Sequence, residues 1–193
     1  MKDKICIICE EKFTPRRIGQ KVCSIECSFK VPKKVKKDNR AEAYSKENKK
    51  SLQDEVQKLA RMIDKRFGYI TCIDCDRPFG KQTDGGHFHS KGHNKTIALN
   101  LHNIHSQDSQ CNGFFGGKQL QYYEGLIRRY GIDYANYVKD GLQQKYTYIG
   151  LKNVEIPDYL AIVRKLIRNF DTYVWSDSIQ ARDQCNIIIG IYK

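Results

Sequence analysis

Six of the eight cysteines in this 193-residue chain fall in close pairs, and that spacing limits the fold more than any other feature. Cys6-x2-Cys9 and Cys23-x3-Cys27 lie within the first 29 residues, Cys72-x2-Cys75 lies further on, and Cys111 and Cys185 stand alone. Two or three residues between thiols make a tight turn that brings both sulfurs to one metal, the usual spacing of a tetrahedral zinc site. A segment of 29 residues is too short to bury a core, so a bound metal must supply most of its folding energy. Cys6, Cys9, Cys23 and Cys27 are therefore expected to hold a closed structural zinc. Ser24 and Glu26 suit the start of a short helix that carries Cys27.

The opening Met-Lys-Asp-Lys-Ile-Cys lacks the sustained apolar stretch of an export signal, and no apolar run approaches the ~18–20 residues of a membrane span. The expectation is a soluble protein in a reducing cytoplasm, where thiols serve metals and not disulfides. A formal net charge of +12 calls for a polyanionic partner. Nucleic acid comes first, because Lys and Arg neutralise phosphates and release counterions. An anionic membrane is the poorer match, since no basic amphipathic helix with aromatic anchors is visible.

The pattern divides the chain into a zinc knuckle domain (1–29), a basic helical connector (30–68), a central module (69–140) and a helical C-terminal extension (141–193). Between Ser28 and Phe67 there are 13 Lys or Arg against 6 Asp or Glu. Lys33, Lys34, Lys36 and Lys37 are candidate phosphate contacts, with a solvated linker as the alternative. Leu52, Val56, Leu59, Ala60 and Ile63 recur at helical spacing and should bury one face. Tyr69 to Cys72 suggests a short strand, and Asp84 to His89 a turn followed by a strand. The next helix should start near Asp108 and end near Gly116-Gly117. Residues 119–139 look helical with a break at Gly131, another helix begins near Pro157, and Ile187-Ile-Ile suits a strand. Tyr130, Tyr134 and Tyr137 form a stripe suited to core packing, with stacking on unpaired bases as the alternative.

The central module carries the chemistry. His87 precedes Asn103 by 15 intervening residues, and Asn103 precedes Asn112 by 8. In a ββα-metal nuclease, a His on the first strand is general base toward water. An Asn in the following loop orients that ring, and a His or Asn at the start of the helix helps hold one divalent cation. His87, Asn103 and Asn112 have the types and order for these roles. Asp84 is either a partner of Asn112 on Mg²⁺ or Mn²⁺, which prefer oxygen ligands, or an ordinary Asp-Gly turn residue. His89 is a further candidate ligand or substrate contact.

Cys72-x2-Cys75, Asp84-x-Gly-His87-Phe, Asn103-Ile-His105-x-Gln107-Asp108-x2-Cys111-Asn112, Gly117 and Tyr123-x2-Leu126-Ile127-x-Arg129-Tyr130-Gly131 together resemble the NinG/Rap family of phage recombination endonucleases. The likeness covers about residues 1–140. It implies an α+β chain with a zinc-stabilised nuclease module of the His–Asn–His type. The substrate so implied is branched DNA, such as Holliday junctions or D-loops, in phage homologous recombination within the host cytoplasm. Paired cuts on a symmetric junction would suit a homodimer, although the sequence shows no interface signature. One position departs from the family: related proteins carry Cys where this chain has Asp108. The second zinc would then be held by Cys72, Cys75, Cys111 and a fourth ligand, with Asp108 preferred and His105 the alternative. A non-catalytic zinc-finger DNA-binding protein is the competing reading.

Overall fold

The computed structural model describes residues 2–31, 33–114, 118–146 and 151–192, with the backbone alone at 33–45 and 114. The chain divides into two compact units, Met1–Lys46 and Glu47–Lys193.

In the first unit, β1 (Lys4–Ile5) and β2 (Lys12–Phe13) pair antiparallel around the first knuckle. The Cys6 amide donates to the Glu11 carbonyl at 2.8 Å and the Glu10 amide to the Cys6 carbonyl at 3.0 Å. Glu10 takes a positive φ of 60°, which the tight knuckle turn imposes. Helix α1 (Ile25–Lys30) begins as the sequence suggests, with Ser24 Oγ accepting the Cys27 amide at 3.2 Å. Burial here falls on Cys6, Pro15 and Cys27 while Ile5, Ile18, Ile25 and Phe29 lie in solvent. Among the described residues of this unit there is no apolar core.

Helix α2 (Lys33–Arg66) covers the basic connector. Lys33, Lys34, Lys36 and Lys37 lie on it, but their side chains are outside the described residues. Its expected apolar face is present: Leu52, Val56, Leu59, Ala60 and Ile63 are buried. They pack with Leu101 and Ile104, with α7 (Ile156–Arg168) and with α8 (Ser178–Ile189). A second core joins Ile73, Phe88 and Ile97 to α4 (Gln119–Tyr130), α5 (Ile132–Asn136) and α6 (Leu142–Lys145). Gly131 separates α4 from α5 at φ 88°, a backbone that L side chains rarely adopt, and so makes the expected break. The chain widens into a π turn over Tyr137–Gly141 before α6.

Between the two cores lies a two-stranded antiparallel sheet. β3 (Thr83–His87) pairs with β4 (Ile104–Asp108) in a register that sets Asp84 opposite Gln107 and His87 opposite Ile104. Helix α3 (Ser109–Phe114) follows β4 directly, giving a strand–strand–helix order. The end of this helix near Gly116-Gly117 lies outside the described residues.

Three local expectations change. The strand expected from Tyr69 is only a single bridge, Thr71 to Pro78, because the Cys72 turn follows at once. Asp84 to His87 is strand, not turn. The run Ile187-Ile-Ile belongs to α8, where Asp177 caps the N-terminus through Ile179 and Gln180 and Gly190 closes the helix in the left-handed region. Ala181, Cys185 and Ile189 recur every four residues, so helical periodicity outweighs the β-branched run.

Buried charge joins α2, β4 and α8. Asp64 accepts from Arg182 and from the Ser106 amide at 2.6 Å, and Arg182 also donates to the carbonyls of Leu101 and Ile104. Both side chains are fully buried, and the neighbouring carboxylate holds the guanidinium well above its usual range against the cost of burial.

Candidate functional site

The four N-terminal thiols converge: Cys6, Cys9, Cys23 and Cys27 place their sulfurs within 4.8 Å of one another and could hold a metal ion such as zinc. Burial opposes ionisation of Cys6, but the amides of Cys9, Cys23 and Ile8 outweigh it and bring this thiol down to about 6. A cation held here would take these sulfurs as thiolates, releasing their protons to solvent.

Cys72, Cys75 and Cys111 form a second cluster, with three sulfurs within 4.8 Å of one another. Burial raises the Cys75 thiol, but Arg77 beside it wins and lowers it, whereas burial pushes Cys111 up to about 12. Asp108 stands beside this cluster without joining it. Its amide donates to Cys72 Sγ at 3.3 Å, while its carboxylate accepts from the amides of Gly80 at 2.7 Å and Gln110 at 2.9 Å. Asp108 thus caps the start of α3, and these amides hold its carboxyl below the usual range. His105 points elsewhere. It is wholly buried, with Nδ1 3.1 Å from the Tyr122 hydroxyl and Nε2 3.5 Å from that of Tyr134, and burial keeps it neutral well below its ordinary pKa. The tyrosine stripe forms this core: Tyr130 and Tyr134 rings lie 4.7 Å apart, and both pack on His105.

Gly85 and Gly86 explain how β3 can thread between its neighbours. A Cβ on Gly85 would lie 2.7 Å from Gln57 Cβ of α2, and one on Gly86 would lie 1.7 Å from Gln107 Oε1. The strand is squeezed on both faces, so His87 is delivered by a segment that admits no side chain before it. Strand alternation then puts His87 on the face of Gly85, toward α2, and Asp84 on the other. Asp84 Oδ2 accepts from Asn112 Nδ2 at 3.1 Å across to α3, at the surface.

The His87 ring is half-buried, with Nε2 2.9 Å from the Ala98 carbonyl. A carbonyl only accepts, so Nε2 carries the proton and Nδ1 presents a lone pair, which has no partner among the described residues. Burial lowers the ring's pKa, with Lys91 adding to the shift and the Ala98 bond opposing it.

Asn103 is fully buried and does not bond the His87 ring. Its side chain accepts the His89 amide at 2.8 Å and donates to the carbonyls of His89 and Ile97 at 3.1 and 3.3 Å. It closes the loop from Phe88 to Ala98 and so sets the carbonyl that holds His87. His89 is pinned within the second core: Nε2 meets the Val138 carbonyl at 2.8 Å and Nδ1 meets Gln143 Nε2 at 2.7 Å. With both nitrogens engaged it offers no lone pair to a cation.

The sequence did not point to Arg182, because its partner Asp64 lies 118 residues away. Nor did it point to the bond of 2.9 Å between buried His102 and exposed Asp183. For Arg182 the signal is a charged residue on the buried face of α8, legible only once the helices are packed.

Two sets of converging thiols, one beside a strand–strand–helix unit, make this a protein with two cysteine clusters that could each hold a metal ion. Residues 44–169 match the family model described as the bacteriophage lambda NinG protein, and the chain belongs to that family. The match includes Cys72, Cys75, Cys111, Asp84, His87, Asn103 and Asn112, and leaves the N-terminal cluster outside. Neither the curated proteins nor the solved structures gave a match. Among the described residues, no helix is long and apolar enough to cross a membrane.

Proposed function

We propose that this chain is a metal-dependent DNA endonuclease of the ββα-metal type, with His87 as general base, acting on branched intermediates of phage recombination. The carrying observation is the fixed tautomer of His87: the Ala98 carbonyl takes Nε2–H, so Nδ1 is a proton acceptor near neutral pH. Asn103 is a positioning residue that acts through the loop ending at Ala98.

Asp84 and Asn112 supply two oxygen donors once the amide of Asn112 turns its carbonyl outward, which suits Mg²⁺ or Mn²⁺ with water completing the shell. Such a cation would neutralise the scissile phosphate and assist the departing 3′ oxygen. Asp84 and His87 project from opposite faces of β3. The cysteine clusters hold structure, and the net positive charge draws in DNA.

Labelled linear, flapped and four-way DNA, incubated with Mg²⁺ or Mn²⁺ and with a chelator, tests the reading. His87→Ala should lower cleavage by ~10²–10⁴-fold, with zinc content and DNA affinity kept. Asn112→Ala should also lose activity, and excess Mn²⁺ should restore part of it. Folded His87→Ala that cuts at the parent rate would overturn the assignment and favour a non-catalytic zinc-finger binder.

A further inference from the structure

The loop from Phe88 to Leu99 has a different cavity on each side. One, of about 270 Å³, is lined by His87, Phe88, His93, Asn94, Gln119 and Tyr122 among others. Its chemistry mixes aromatic rings with amides. The side chains of Asn94 and Gln119 make no hydrogen bond among the described residues, and Asn94 leaves unused the helix cap that its position offers. The other cavity, of about 310 Å³, is a groove whose cations are Lys49, Lys91 and Lys95, over a floor that includes Ala98 and Leu99. None of these lysines has an acidic partner among the described residues, and no carboxylate lines the groove. Lys91 lies near enough to His87 to depress its pKa.

An unneutralised lysine groove favours phosphate, whereas paired donors and acceptors beside aromatic rings favour a base with its ring face and Watson–Crick edge exposed. A duplex offers the first and hides the second, because its bases are stacked and paired. An unpaired strand offers both. We infer that this loop is a single-strand clasp: Lys49, Lys91 and Lys95 hold the backbone, and Asn94 and Gln119 receive an unpaired base beside His87. The inference rests on the DNA reading above and deepens it, since preference for branched DNA would then arise where unpaired nucleotides reach His87. None of the five clasp residues belongs to the cysteine clusters or to the proposed cleavage residues.

Binding of the full, zinc-loaded chain to about a dozen thymidines, and to a duplex of equal length, is measured over a salt series without divalent cation. The wild type should prefer the single strand. Lys49→Gln, Lys91→Gln and Lys95→Gln together should make the slope of log K against log salt shallower by about 2 on the single strand, at roughly 0.7 per phosphate contact. Asn94→Leu with Gln119→Leu should abolish the single-strand preference and leave the slope alone. An unchanged slope in the lysine variant, a preference surviving in the amide variant, or equal wild-type affinity for both DNAs overturns the clasp while leaving the DNA reading intact. A wild-type chain that binds neither oligonucleotide overturns the DNA reading itself.

Discussion

The two cysteine clusters have the same ligand chemistry but different surroundings. The N-terminal set has four thiols and almost nothing else buried: Ile5, Ile18, Ile25 and Phe29 are exposed. The second set has three, yet Ile73 between Cys72 and Cys75 is fully buried in a core shared with Tyr122 and Leu126. In the first region a bound metal would be the core, and in the second it would add to one that already exists. Equal spacing in sequence therefore does not mean equal dependence on metal, because dependence is set by how much apolar surface surrounds the turn.

Chelation should give the largest effect and divide the molecule along this line. Zinc removal should unfold residues 1–31 and leave α7, α8 and the lower half of α2 protected, as hydrogen exchange would read. Cys6→Ser with Cys9→Ser should lose one zinc of two and mimic it. Protection lost evenly across both regions would show that the second core also depends on metal.

The converse comes from the buried ion pair. Arg182→Leu leaves the Asp64 carboxylate uncompensated among Ser106, Tyr130 and apolar neighbours. It should cost ~3–5 kcal/mol in denaturant unfolding of the larger unit, with zinc retained at the N-terminal cluster. A loss under ~1 kcal/mol would mean that water reaches Asp64 and that the pair is not dry.

Acid should act on the same unit more gently. Burial is the main cause that holds His102 and His105 below their ordinary pKa, the Asp183 bond to His102 notwithstanding. Above ~6.5 neither folded nor unfolded chain protonates them. As the pH falls below that value the unfolded chain takes up protons first, so stability is lost on the acid side down to the depressed folded-state values. Thermal midpoints between pH 8 and pH 5 should decline, and His102→Gln should flatten the decline. A flat profile in the parent chain would refute the buried-neutral assignment.

The smallest change concerns the second cluster alone. Asp108→Cys offers a fourth sulfur where a carboxylate now serves two amides, and zinc competition should show tighter binding with little change in overall stability. Weaker binding would mean that the capping role of Asp108 matters more to this site than another ligand does.

The sequence carried the elements whose signal is local. Knuckle spacing located both thiol clusters, Ser24 announced α1, the apolar period from Leu52 to Ile63 gave the buried face of α2, and Gly131 marked a break. Local pattern misled at Ile187-Ile-Ile, where β-branched residues suggested a strand but the faces of Ala181, Cys185 and Ile189 needed a helix. The types and order of Asp84, Asn103 and Asn112 around His87 were also legible, but their contacts were not. Tertiary structure decided that Asn103 holds a loop and not a ring, that His89 and His105 are committed to the core, and that Asp108 caps a helix beside the thiols. The physical reason is that a hydrogen bond joins whatever packing brings within ~3 Å. Spacing along a chain fixes such neighbours within one turn or one strand. Across 15 or 118 residues, only the burial of the two apolar cores does so.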